Sequence, residues 1–232
     1  MIIIKLKYMS KLKTALLLTA IIFITGCKSN MKNENNISLP QYVTLNIQTL
    51  NSSEDKTIRI KAKTLNFPLS SEDLRDISIL EKKYDQEENC AGLAAPQIGI
   101  SKCIIIFAVH EDAELKKWRP DLKDTMPKTI WINPSYKPIG IDKHEDYEGC
   151  FSVENAIGPV ARFKKIHYHA YDINGNQIQG IAEGFLARVI QHEIDHLNGK
   201  VFLDYVAPQK IMTKEEYLEM RKKAMEQENI KS

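Results

Sequence analysis

The chain has 232 residues, 43% of them hydrophobic, enough for one domain with extensions and a full core. A formal net charge of +2, with no run of lysines and arginines, excludes an electrostatic nucleic-acid binder. Four cysteines, at 27, 90, 103 and 150, stand too far apart for a CxxC metal or redox motif and are too few for a disulfide scaffold.

Lys5, Lys7, Lys11 and Lys13 precede an apolar run over 15–24 that ends at Thr25-Gly26-Cys27. A basic start, a short apolar stretch and a small-residue site make a secretory signal. The run is half the ~20 residues a membrane span needs. Ile24-Thr25-Gly26-Cys27 resembles the bacterial lipobox, in which the cysteine is acylated after cleavage. The expectation is a lipid anchor at Cys27 and an exported protein of the cell envelope; a cleaved soluble signal, an uncleaved anchor or a cytoplasmic chain with the signal unused are the alternatives. The polar, Asn-rich residues 28–40 read as a tether, 41–212 as the catalytic domain and 213–232 as a C-terminal helix.

Residues 42–47 and 57–61 alternate as strands do. Ser70 and Ser71 are candidate N-caps of a helix over about 71–86, with Leu74, Ile77, Leu80 and Tyr84 at helical spacing. Residues 90–99 are rich in Gly, Ala and Pro, a side-chain-poor stretch that another backbone can approach. The apolar run 103–109 is a buried strand containing Cys103, and 110–128 is a charged, solvated loop. A strand over 129–134 closes at Asn133-Pro134. His167 and His169 share one side of a strand over 166–171 and are candidate ligands, although exposed strand histidines are the commoner case. Asn174-Gly175 marks a hairpin. Helical periodicity runs from about 182 to a C-cap at Asn198-Gly199, and Thr213 and Glu216 form a capping box for a last helix to about 228.

The chemistry sits on the first of those two helices, in Gln191-His192-Glu193-Ile194-Asp195-His196. Residues four apart on a helix share a face, so His192 and His196 can hold one metal ion, and Glu193 can reach a water on that metal without ligating it. A catalytic site of this type needs about three protein ligands and an open position. A thiolate suits zinc or ferrous iron, and Cys150, between Gly149 and Phe151, leads Cys90 only modestly as the third ligand.

Three segments together resemble the motifs of the peptide deformylase family, in the family's order: Gly92-Leu93-Ala94-Ala95-Pro96-Gln97, Glu148-Gly149-Cys150-Phe151-Ser152 and Gln191–His196. The resemblance runs from about 57 to 206. It implies an α+β fold, antiparallel sheets packed around a central HExxH helix, and a monomer that removes the formyl group from N-formyl-methionyl peptides. It implies Cys150, His192 and His196 as ligands of one divalent metal, with Fe2+ favoured and Zn2+ or Ni2+ substituting, and Glu193 as general acid/base. Gln97 and the backbone N–H of Phe151 match the oxyanion donors. Cys90, Ala91, Gly92, Leu93, Glu148 and Gly149 match the substrate-binding stretches. Glu148 and Arg162 match a pair behind the metal that steadies the Cys150 loop, and Asp195 is expected to orient a histidine. One departure stands out: the family's first motif begins Gly-x-Gly, and here the first glycine is Cys90, at the edge of the cleft. A disulfide between Cys90 and Cys150 is a redox possibility in an exported protein. Two alternatives remain beside the hydrolase: a peptide-binding lipoprotein that has lost turnover, and a general zincin peptidase.

Overall fold

The computed structural model describes residues 38–45 and 56–231; Cys27 and the signal lie outside the described residues. The α+β expectation holds. A five-stranded antiparallel sheet runs in the order β1-β2-β3-β6-β7, from β1 (Gly92–Ala94), β2 (Ile104–Val109), β3 (Met126–Pro138), β6 (Lys165–Tyr171) and β7 (Gln177–Glu183). A separate antiparallel pair joins β4 (Lys143–Cys150) to β5 (Val153–Phe163). Helix α4 (Gly184–Leu197) lies against the sheet and carries the HExxH residues.

β2 explains its own sequence. Ile105, Phe107 and Val109 join the core beneath α4, and Ile104, Ile106 and Ala108 join a second core beneath α2 (Ser71–Asp85). A strand covered on both faces is apolar throughout. β1 is the edge of this sheet, which leaves one side of its backbone open.

Several expectations change. Residues 57–61 are not a strand: Lys56–Arg59 is one helical turn, α1. A strand would turn Ile58 and Ile60 the same way, yet Ile58 is fully buried and Ile60 is 51% exposed. Of the expected 42–47 strand, the described residues hold only an isolated parallel bridge from Leu45 to Val153. Asn133-Pro134 does not close β3; Asn133 takes φ +50 at a bulge, its amide pairs with both backbone groups of Leu65, and the strand continues to pair with β6. The 110–128 segment is not wholly solvated. It holds α3 (Ala113–Trp118), and Arg119 is 1% exposed, stacked 4.4 Å from the Phe185 ring and paired with Asp146. Its Asp121 carbonyl accepts the Phe185 N–H, which docks the segment on the start of α4.

In α2 the buried positions are Asp73, Ile77, Leu80 and Tyr84, while Leu74 is 48% exposed. Asp73 turns inward because it closes the capping box with Ser70 and accepts Lys102 at 2.7 Å, and those bonds hold its carboxyl down at about 2. A depressed carboxyl stabilises the fold above its unfolded pKa near 4 and ceases to as pH falls through about 2. Asp73→Asn keeps the acceptor but loses the charge. It is expected to lower stability by ~1–2 kcal/mol at pH 7, with the gap to wild type closing between pH 4 and 2 in urea titrations. A gap that stays constant with pH would assign the loss to the cap instead.

Candidate metal centre and active site

The three metal-ligand candidates come from two elements. His192 and His196 project from one face of α4, their rings 4.9 Å apart and nearly perpendicular, and Cys150 ends β4. One ligand atom from each lies within 4.8 Å of the other two, and Cys150 Sγ is 3.4 Å from His196 Nε2. Tetrahedral zinc with ordinary Zn–S and Zn–N lengths sets such an edge at ~3.6 Å, so the residues fit a cation. All three are buried. Burial pulls His192 down to about 4 and holds His196 well below the usual imidazole range, which favours neutral imidazoles with lone pairs available. Burial also pushes the Cys150 thiol up, against a hydrogen bond from the Ser152 N–H at 3.4 Å; the Gln97 amide donates to the same sulfur at 3.3 Å.

Gln97 is held by geometry rather than chance. It sits in a 3-10 turn (Ala95–Ile98) directly after β1, fully buried, and its Oε1 accepts the Ala94 N–H at 2.8 Å. That bond orients the amide so that its NH2 faces the Cys150 side. Glu193 is 1% exposed; burial pushes its carboxyl up to about 7, and Oε2 has no hydrogen-bond partner among the described residues.

Glu193 packs on motif one. A Cβ on Gly92 would lie 2.5 Å from Glu193 Oε1, so a side chain here would push the Glu193 carboxylate aside. Gly92→Ala is expected to displace the carboxylate and cut kcat at least tenfold while the metal content is retained; an unchanged kcat would show that Glu193 need not sit there.

The register of β1 decides which groups face a ligand. Leu93 pairs with Ile106, and the Ala108 N–H donates to Ala91 O, so Ala91 and Leu93 turn their backbone groups to β2. Gly92 turns its N–H and carbonyl to the open edge, as does Ala94. Leu93 is wholly buried in the second core, which corrects its assignment to the substrate side. Cys90, half-buried, donates its thiol to the Gly92 carbonyl at 3.0 Å. Cys90, Cys103 and Cys150 are free thiols, so the disulfide considered from sequence is not formed. His167 and His169 stand on β6, outside the metal cluster.

Glu148 is the largest correction. It is wholly buried and its two carboxylate oxygens are taken by Arg162, Arg188 and His192, so it faces away from a substrate. Oε2 bonds His192 Nδ1 at 2.9 Å, which leaves His192 Nε2 for a metal. Arg162 grips both carboxylate oxygens at 2.9 Å, and Arg188 donates to Oε1 at 2.8 Å. Burial alone would raise the Glu148 carboxyl, but the Arg162 charge and the bonds from His192 and Arg162 hold it well below the usual range. Asp195 was expected to orient a histidine. Its carboxylate instead pairs with Arg162 and accepts Tyr205 OH at 3.0 Å. Glu148 does the orienting.

Sequence reasoning missed Arg188. It is 2% exposed and also donates to the carbonyls of His144, Asp146 and Val160, tying α4 to β4 and β5. The available signal was a lone arginine inside an apolar helical run, one turn before His192 and on its face.

Comparisons with known proteins agree with this geometry. The family model described as polypeptide deformylase matches residues 47–212. A curated protein of Rickettsia conorii named peptide deformylase 2 is 98% identical over 202 residues, which is 87% of this chain and 100% of that protein. A peptide deformylase 2 of Pseudomonas putida is 34% identical over 155 residues, 66% of this chain and 83% of the relative. Among solved structures, the peptide deformylase of Ehrlichia chaffeensis superposes with a TM-score of 0.62 at 28% identity, covering 82% of this chain and 99% of its own. That of Synechococcus elongatus, in complex with actinonin, gives 0.57 at 30% identity, covering 73% and 81%. A metal-ready Cys/His/His cluster beside a buried glutamate, on a fold and sequence shared with these proteins, makes the chain a member of the polypeptide deformylase family.

Proposed function

We propose that the chain acts as a monomer to remove the formyl group from N-formyl-methionyl peptides, with Glu193 moving the protons. The observation that carries this reading is the convergence of Cys150, His192 and His196 with Glu193 and Gln97 beside the open edge of β1. A divalent cation held by Cys150 Sγ and the two histidines supplies a water of lowered pKa and Lewis acidity toward the formyl oxygen. A sulfur and two nitrogens suit ferrous iron, zinc or nickel, and ferrous iron is our choice.

The chain's own groups do the rest. Glu193 accepts the proton of the attacking water and delivers it to the amine as the formyl C–N bond breaks, releasing formate. The Gln97 amide and the Phe151 N–H donate to the oxygen that becomes negative in the tetrahedral stage; one such donor is typically worth ~10²-fold or more. The peptide lies as an added strand on Gly92. The full chain loaded with ferrous iron without oxygen should release formate from formyl-Met-Ala-Ser, and no formate from metal-loaded protein would overturn the reading. A peptide-binding lipoprotein that has lost turnover is the second reading. Its support is the Cys90 thiol, which occupies the carbonyl that an incoming peptide would use.

The address follows from residues 1–27: basic start, short apolar run and lipobox support acylation at Cys27, with 28–40 as the tether that holds the 41–212 catalytic domain and its 213–232 helix at the envelope. Palmitate labelling that Cys27→Ser abolishes is the expected result; an unlabelled cytoplasmic protein would refute it.

A further inference from the structure

The two proposed oxyanion donors stand on different sheets. Gln97 lies in the turn after β1 of the five-stranded sheet, and Phe151 in the turn after β4 of the two-stranded pair. Among the described residues, no backbone hydrogen bond joins 95–98 directly to 150–153. The Gln97 amide reaches across to Cys150 Sγ at 3.3 Å, but that amide is the group that must turn to the substrate oxygen. Something else has to hold the two turns at a fixed spacing.

The segment just ahead of the family-matched residues 47–212 does so. The Val43 N–H donates to Gln97 O at 2.8 Å. Two residues on, the Leu45 N–H donates to Ser152 O at 2.7 Å, and Leu45 forms a parallel bridge with Val153. The side chains repeat the division. Tyr42 packs on the core that holds Leu93, Ala95 and Ile98 of motif one, whereas Val43 and Leu45 pack in the core around Cys150 and Val153. The Tyr42 ring also stacks on Phe151 itself, with centroids 4.7 Å apart and planes 10° from parallel. Four consecutive residues thus fasten both turns, each by a backbone bond and by packing.

We propose that residues 42–45 are a positioning strap for the oxyanion site. The strap sets the spacing at which the Gln97 amide and the Phe151 N–H meet one oxygen, and it acts through those two groups rather than by touching the substrate. Two donors help only while both lie within ~3 Å of the developing charge, so a slack of ~1 Å between the turns costs rate without weakening the ground state. The proposal rests on the deformylase reading and adds to it a working segment outside the family-matched residues.

Val43→Pro in the full, metal-loaded chain removes the N–H that Gln97 O accepts. For formyl-Met-Ala-Ser, kcat is expected to fall about tenfold with KM and metal content unchanged. In a Gln97→Ala background, where the donor is already gone, the same change should cost no more than about twofold. Unchanged kcat in the first case, or equal losses in both backgrounds, would overturn the proposal. If Val43→Pro does not fold, Tyr42→Leu lifts the ring from Phe151 and keeps the backbone bonds; kcat should then fall about threefold at unchanged KM, and an unchanged kcat overturns the strap. Wild-type protein that releases no formate would defeat the deformylase reading instead. Hydrogen exchange then decides the strap separately: amides of 95–99 and 150–153 should exchange about tenfold faster in the variant while those of α2 keep their rates, and equal rates in both turns refute it.

Discussion

Glu193→Gln should abolish formate release while leaving the metal bound. The glutamine is the same size, so the fit against Gly92 survives, and position 193 is not one of the three ligand candidates. What disappears is the proton acceptor. Glu193 is 1% exposed with one carboxylate oxygen unpartnered among the described residues, and no other carboxylate in the cluster can replace it: Glu148 is committed to Arg162, Arg188 and His192, and Asp195 to Arg162 and Tyr205. Positioned acid–base catalysis is worth ~10²–10⁴-fold, and kcat should fall by at least that much with unchanged metal content by elemental analysis. A variant within tenfold of wild type would remove Glu193 from the mechanism. Loss of the metal would mean that the carboxylate shapes the site rather than moving protons.

Glu148→Gln should cost stability and metal affinity together. The substitution removes a fully buried charge and leaves Arg162 and Arg188 facing an amide. Breaking a buried ion pair from one side typically costs ~3–5 kcal/mol. For a domain of this size that lowers the melting temperature by roughly 10 °C. Orientation of His192 fails as well, because an amide can donate to Nδ1 and so stabilise the wrong tautomer. Loss of a group that orients a ligand typically weakens metal binding ~10–100-fold. Competition with a fluorescent chelator on folded protein reads that directly. A lower melting temperature with unaltered metal affinity would leave Glu148 as a structural ion pair only.

His192, Glu193 and His196 were legible because a helix repeats every 3.6 residues, so spacing alone places two imidazoles on one face. Cys150 was not legible that way. It lies 42 residues before His192 on a separate two-stranded sheet, and composition left Cys90 close behind it until the motifs were recognised together. The 57–61 segment misled because alternation over five residues also fits a single helical turn with one residue buried. The 110–128 segment misled because charge is read as solvation, whereas Arg119 is buried by a ring on one side and a carboxylate on the other. Glu148, Asp195 and Arg188 show the common cause. Each is a charged residue whose partner is 14 to 44 positions away, and no local pattern says which opposite charge will meet it.

The sequence by itself determined the elements with a local period: the HExxH face of α4, the doubly buried β2, the Ser70 cap and the capping box at Thr213, which closes with Glu216. These depend on contacts a few residues apart or on solvent exclusion along one segment. Only the tertiary structure decided which carboxylate orients His192, why a side chain at position 92 would strike Glu193, and which backbone groups of motif one stay open. Those outcomes depend on strand register and on packing between elements far apart in the chain. A shift of one residue in register would exchange Gly92 for Leu93 on the open edge without changing a letter of the sequence.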